Sequence, residues 1–312
     1  MYKIQPYKTQ EIEWDSFNAK SKNGTFLFNR KYMEYHRDRF EDFSLLIYNN
    51  KNDLVALFPA NKREDVVYSH EGLTYGGIIS DVRMTTCENI NLFSELKKFL
   101  KDQKISSVIY KTIPQIYSDI LSQEDQYTLY ANGAQLIRRD LISVIDFSAV
   151  VPIQERRLRS QKKAAKKDLI VEESTDYSTF WELLNHVLLN RHNVKPTHSI
   201  EEIKYLSSLF PKNILLFLCR DNQEILAGVV LYINKKTVHA QYISTSERGA
   251  KTGALDFLFF FLIEKFKKDH KYFSFGISNE NNGLYLNEGL ITQKEGFGAR
   301  SIIHDTYLVN LT

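Results

Sequence analysis

The feature that most limits what this chain can fold into is an internal repeat: residues 44–110 and 215–275 carry the same order of elements. In the first stretch an apolar run and a polar turn lead to a second run at 54–60. After a second polar turn (61–65) come residues 66–69, a Gly-containing loop, a helix-like stretch (89–102) and the strand-like 107–110. In the second, 215–219 turns at 221–224 into 225–233, which turns at 234–236 into 237–243. The loop 247–253, the helical 254–268 and the strand-like 272–275 follow. An aromatic helical segment precedes each copy, with Trp14 and Phe17 in one and Phe180 and Trp181 in the other. A repeat of this length is one supersecondary unit used twice, which predicts a duplicated domain.

Hairpins give antiparallel pairs, whereas strand–helix–strand needs a right-handed crossover and hence a parallel pair. Each half is therefore expected to be a twisted mixed sheet flanked by helices, an α/β chain of the α+β kind, with the strand before the Gly-containing loop beside the strand after the helix. At 312 residues two domains are expected. The boundary is placed at Val151-Pro152, giving 1–150 and 151–312, with the last strand free to pack back on the first half. Pro152 suits the first turn of a helix over 153–167. Further helices are expected at 11–20, 30–40, 179–190 and 200–209, and strands at 143–147 and 170–173. The helix at 257–263 is apolar all round and is expected to be buried on both sides.

If the two parallel strands of a half splay apart, backbone N–H and C=O groups face the gap. An extended amide-bearing ligand could pair with them while its phosphates sit on the following helix N-terminus. The pantetheine arm of coenzyme A fits that description.

With 41 basic and 38 acidic residues the net charge is +3, so nucleic-acid binding would have to rest on local clustering. Such a cluster exists at Arg156, Arg157, Arg159, Lys162, Lys163, Lys166 and Lys167, read either as a solvated helix face or as a phosphate-binding patch. The two cysteines, Cys87 and Cys219, are expected to be buried and reduced, and no Cys/His spacing suggests a metal. The N-terminus lacks a signal-peptide apolar region, and the longest apolar run falls far short of the ~20 residues of a membrane span. A cytoplasmic protein without a membrane span is the expectation. No nucleophile elbow, Walker loop, HExxH or dinucleotide fingerprint is present.

Tyr242-Ile243-Ser244, Arg248-Gly249-Ala250-Lys251-Thr252-Gly253-Ala254 and Phe273-Ser274-Phe275-Gly276 together resemble the second domain of FemAB-like acyltransferases, tandem members of the GNAT superfamily. Residues 289–298 are similar to that family's closing segment. The resemblance implies two GNAT-like domains and transfer of an acyl or aminoacyl group to an amine, often on a cell-envelope precursor. It departs at the pyrophosphate loop, where Lys251 stands in place of the first glycine although Gly253 fills the later position. A charged helical arm like that of some tRNA-using relatives is also missing. Strings similar to Arg191-His192…Pro196-Thr197-His198 and Ser69-His70-Glu71-Gly72…Tyr75 occur in bacterial relatives of this tandem type.

On this basis Tyr242, Ser244, Arg248, Gly249, Lys251, Thr252 and Gly253 are expected to hold acyl-CoA, in the first instance acetyl-CoA. His70, Tyr75, Arg157, Arg191, His198 and Glu295 are expected to contact the acceptor. An attacking amine must be neutral, so a carboxylate or His that removes its proton is required; Glu280 is the first choice and His192 the second. Lys294 would stabilise the oxyanion or bind a phosphate. The leading expectation is an N-acyltransferase acting on an amine of an envelope or polysaccharide precursor. An aminoacyl-tRNA-dependent transferase acting on a peptidoglycan precursor and a non-catalytic ligand-binding tandem module stand as alternatives. The first half, lacking a counterpart of 248–253, is expected to recognise substrate without holding the donor.

Overall fold

A computed structural model of the chain describes residues 2–222 and 224–311, except the side chains of Arg191 and His192. The chain divides into two compact units. One comprises Met1–Asp140, Glu280–Tyr285 and Ile303–Thr312, and the other Leu141–Asn279 and Leu286–Ile302. The division thus falls ten residues before the expected boundary, and two C-terminal segments join the first unit.

In the C-terminal unit the sheet runs in the order Leu169–Ser174, Ile214–Asp221, Glu224–Ile233, Thr237–Thr245, Tyr272–Ile277 and residues 142–146. All neighbours are antiparallel except Thr237–Thr245 and Tyr272–Ile277, which are parallel. That pair is joined by the crossover helix Ala254–Phe266, whose Ala254, Leu258, Phe259, Leu262 and Phe266 are buried at helical spacing. The helix is not enclosed on all sides, because Phe261 is 41% exposed. Phe217, Leu231, Phe273 and Phe297 complete its core.

The N-terminal unit repeats the plan with one break. Strands Leu45–Tyr48 and Leu54–Phe58 pair antiparallel, as do Asn61–Arg63 and Val66–Tyr68, but the two hairpins lie in different sheets. The switch occurs at Pro59, which has no N–H to continue a ladder. Val66–Tyr68 then lies parallel to Ser107–Lys111. The helix between them, Thr86–Asp102, starts at a capping box formed by Thr85 and Glu88 and buries Leu92, Phe93, Leu96 and Leu100. Such a cap contributes about 1 kcal/mol.

The helix expected over 30–40 is instead a single α turn, Arg30–Met33, followed by the 3₁₀ turn Glu34–His36. Arg30 is responsible: its buried guanidinium reaches Glu34 and Asp42 and stacks 3.7 Å over Tyr7, contacts that pull the segment out of regular helix. Cys219 is buried, but Cys87 is exposed, because it sits in the first turn of Thr86–Asp102 away from that helix's apolar stripe.

Candidate active site

The parallel strands of the C-terminal unit open like a fork. Thr237–Thr245 pairs with Glu224–Ile233 along its length, from Ile233↔Val238 to Ala227↔Thr245. On its other side, pairing with Tyr272–Ile277 stops after Thr237↔Tyr272, Val238↔Phe273 and His239↔Ser274. The cause is local: Tyr272–Ile277 turns away at Gly276, which has φ +70°, a conformation that favours glycine. His239 Nδ1 lies 3.1 Å from Ser274 Oγ at the crotch.

Beyond the crotch lies a cavity of about 250 Å³ lined by Ser244 and Thr245, by Leu255 and Phe259 of the crossover helix, by Phe275, and by Lys294. Ser244 is buried, and its Oγ has no hydrogen-bond partner. Lys294 comes from the helix Glu288–Glu295, which Asn287 caps through its side chain. Its Nζ donates to the carbonyls of Gly276 (3.1 Å) and Ile277 (2.5 Å), at the turn that opens the fork. Lys294 is 5% exposed, and burial pushes its ammonium down to about 7. The site thus offers a narrow apolar slot, an unpaired hydroxyl, and an amine poised to change charge near neutrality.

Of the seven residues expected to hold the donor, only Ser244 lines this cavity. The segment read as a phosphate-cradling loop is a short helix, Glu247–Thr252, capped by Ser246. Its amides serve the helix itself: Gly249 N donates to Ser246 Oγ, Ala250 N to Ser246 O and Gly253 N to Gly249 O. The reason is the Ser246 cap followed by six residues that all accept helical φ, with Gly253 (φ +80°) joining this helix to the next. Arg248 is paired with Asp221 and Glu224, Thr252 Oγ1 donates to Gly249 O, and the carbonyl of Lys251 accepts from Lys163 Nζ. A Cβ on Gly253 would come within 2.7 Å of Ser160 Oγ, so the basic helix Glu155–Ala164 covers this junction. Tyr242 is buried, and its hydroxyl meets His198 Nδ1 in a short contact while His198 N donates to it at 3.2 Å. Burial pushes this phenol up to about 12.

The residues expected to contact the acceptor are scattered. Arg157 is half-buried and tied to Asp256 at 2.8 Å, with its guanidinium 5.0 Å above the Phe297 ring, so it pins its helix instead of facing solvent. Tyr75 is 2% exposed, stacks on Tyr117 and donates to Thr25 Oγ1, which leaves no face for a ligand. Glu295 is half-buried on the last turn of its helix but does not line the cavity. Glu280 is exposed, in the short strand Asn279–Glu280. The expectations for Arg191 and His192 fall on side chains outside those described. His70 lines a different cavity, in the N-terminal unit. The apolar lining at Leu255, Phe259 and Phe275 escaped the sequence reading because core residues and slot residues have the same composition.

Residues 154–282 match the family model of an acetyltransferase (GNAT) domain. In fold, the chain is similar to FemX (TM-score 0.68, 12% identity, 96% of each chain covered). It is also similar to L-PGS from Bacillus licheniformis (TM-score 0.62, 13% identity, 98% of this chain and 93% of that one). A tandem GNAT protein from the clavulanic acid biosynthesis pathway aligns over 100% of this chain and 99% of its own (TM-score 0.54, 8% identity). No curated protein matches the chain by sequence. Residues 154–282 thus match a GNAT acetyltransferase domain, and the chain as a whole shares its fold with FemX and with a tandem GNAT protein. Among the described residues no cluster of three or more His, Cys, Asp or Glu could hold a metal ion, and no helix is long and apolar enough to cross a membrane.

Proposed function

We propose that this chain is an N-acyltransferase that takes the acyl end of an acyl-CoA, in the first instance acetyl-CoA, into the fork beside Thr237–Thr245. The acyl group passes to an amine of an envelope or polysaccharide precursor. The observation that carries this reading is the open fork itself, with its cavity, the unpaired Ser244 hydroxyl and the Lys294 amine. A slot of about 250 Å³ suits the thioester end of a thread and leaves a bulky nucleotide outside.

Transfer is direct. The neutral amine attacks the thioester carbonyl, and the resulting oxyanion is met by the Lys294 ammonium. A base takes the amine's proton, the C–S bond breaks, and the sulfur leaves as the CoA thiolate, which that proton then converts to the thiol. Glu280 is the first proposal for that base and His192 the second. Calorimetric titration with acetyl-CoA tests the donor: saturable heat is expected, and no heat up to millimolar ligand counts against it.

One observation favours an aminoacyl-tRNA donor as a second reading. The amides of Gly249, Ala250 and Gly253 are taken up inside the helix and its cap, which weakens the pyrophosphate cradle. Arg156, Arg159, Lys162 and Lys163 on the covering helix are exposed cations that an RNA backbone could contact. This reading predicts RNA affinity that falls steeply with salt and is lost on replacing Arg159, Lys162 and Lys163 by Glu; unchanged affinity removes it.

A further inference from the structure

The N-terminal unit holds a cavity of about 510 Å³ at the matching end of its own parallel pair. It is lined by Ser69, His70, Lys111, Arg138, Asn282 and Thr306, among others. Its charges are unevenly compensated. Arg138 is held by Asp140 at 2.7 Å, and Glu71, also in the wall, by Arg63 at 2.8 Å. Lys111 has no carboxylate within ion-pair distance among the described residues; its Nζ donates to the carbonyl of Leu73 at 2.5 Å. An ammonium carries three donors, so Lys111 keeps capacity to spare.

His70 adds two further signs. It is 3% exposed, its Nδ1 is enclosed without a hydrogen-bond partner, and its φ of +66° is unusual for a residue other than glycine. Strain of this kind persists where the surroundings over-determine the residue and clusters at ligand sites. Ser69 Oγ accepts from Lys111 N at 2.7 Å, which locks the root of the lysine to the loop that carries His70.

We infer that this cavity is an oxyanion site, taking a carboxylate or phosphate with Lys111 as its anchoring cation and the His70 ring in its wall. A lysine without an ion-pair partner in the wall leaves room for one further negative charge, and a planar or tetrahedral oxyanion supplies several acceptors to the spare donors.

The test uses the full chain and two probes, inorganic phosphate and acetate, each titrated at constant ionic strength. Saturable binding of at least one is expected, and the tighter of the two names the group. Lys111→Met is expected to weaken it tenfold or more, and Lys111→Arg to recover most of the loss. In the unaltered protein the tighter anion is expected to protect Lys111 from acetylation by an amine reagent, read by mass spectrometry. That readout serves whether or not the variants fold. Absence of binding by both probes, equal binding by Lys111→Met, or an unprotected Lys111 overturns the proposal.

Discussion

The two parallel strand pairs begin alike and end differently. Each is joined by three residue pairs, Val66–Tyr68 on Ser107–Lys111 in one unit and residues 237–239 on Tyr272–Ile277 in the other. In the C-terminal unit the first strand then runs on to Thr245 with one side unpaired, and the space fills with apolar side chains and one buried amine. In the N-terminal unit the strand ends at Tyr68, and the chain turns at His70 into the loop that leads to Tyr75 and Gly77. The space there is larger, and its wall carries Glu71, Arg138 and Lys111, the last without an ion-pair partner among the described residues. The same topology thus yields an apolar slot where the strand continues and a charged cavity where it stops. The two units differ in how far one strand runs past its parallel pairing.

The comparison is sharpest at the two lysines. Lys294→Met is expected to cut acyl transfer ~10²–10³-fold, the loss typical of removing one oxyanion donor. Anion binding in the other unit should be untouched. A transfer rate within a few-fold of the original would erase the difference between the two cavities.

Arg157→Met tests what holds the slot together. It leaves Asp256 almost buried without its cation, at a cost of about 3–5 kcal/mol, read as a lower midpoint in urea. Lys111→Met should do the opposite and raise the midpoint slightly, since it removes a half-buried cation that has no carboxylate partner. If both variants shift stability in the same direction, the contrast between a paired and an unpaired charge fails.

Protonation separates the lysines further. Burial lowers Lys294 to about 7; Lys111 falls to about 8, chiefly through burial and then through the nearby Arg138. As cations both act below those values and are lost above them. The acyl-transfer rate should therefore carry a limb that declines as pH rises through about 7, absent from Lys294→Arg. Stability follows the reverse sign: between these values and the ordinary lysine range, the unfolded chain binds more protons, so the fold gains stability as pH rises. A rate that climbs steadily through pH 7–9 would show that Lys294 does not act as a cation.

Most of the fold was legible from the repeat. Hairpin, crossover helix and parallel strand can be read from alternating apolar runs and turn residues, and the fork was anticipated because only a splayed pair leaves amides to spare. The site was legible in part. Ser244 was picked out through the FemAB-like resemblance and Lys294 as a cation after the last core strand, and both line the slot. The helix Glu247–Thr252 was misread as a loop, since Gly249 and Gly253 suggest flexibility whereas Gly249 serves close packing, its Cβ position lying 2.0 Å from the Leu226 carbonyl. Arg157 and Tyr75 look like binding residues in sequence; their buried partners, Asp256 and Tyr117, are about 100 and 40 residues away and cannot be paired with them by spacing. Lys111 passed unnoticed as the last residue of a short strand, its isolation visible only once Arg138 and Glu71 had found other partners.

The most direct test of the acyl slot is calorimetric titration of acetyl-CoA into the unaltered chain and into Ser244→Leu, whose added side chain fills the cavity without touching Lys294. The account predicts saturable binding by the former and, because the leucine occupies cavity space, a tenfold or greater loss in the latter. Equal affinities, or no binding by either at millimolar ligand, would contradict it.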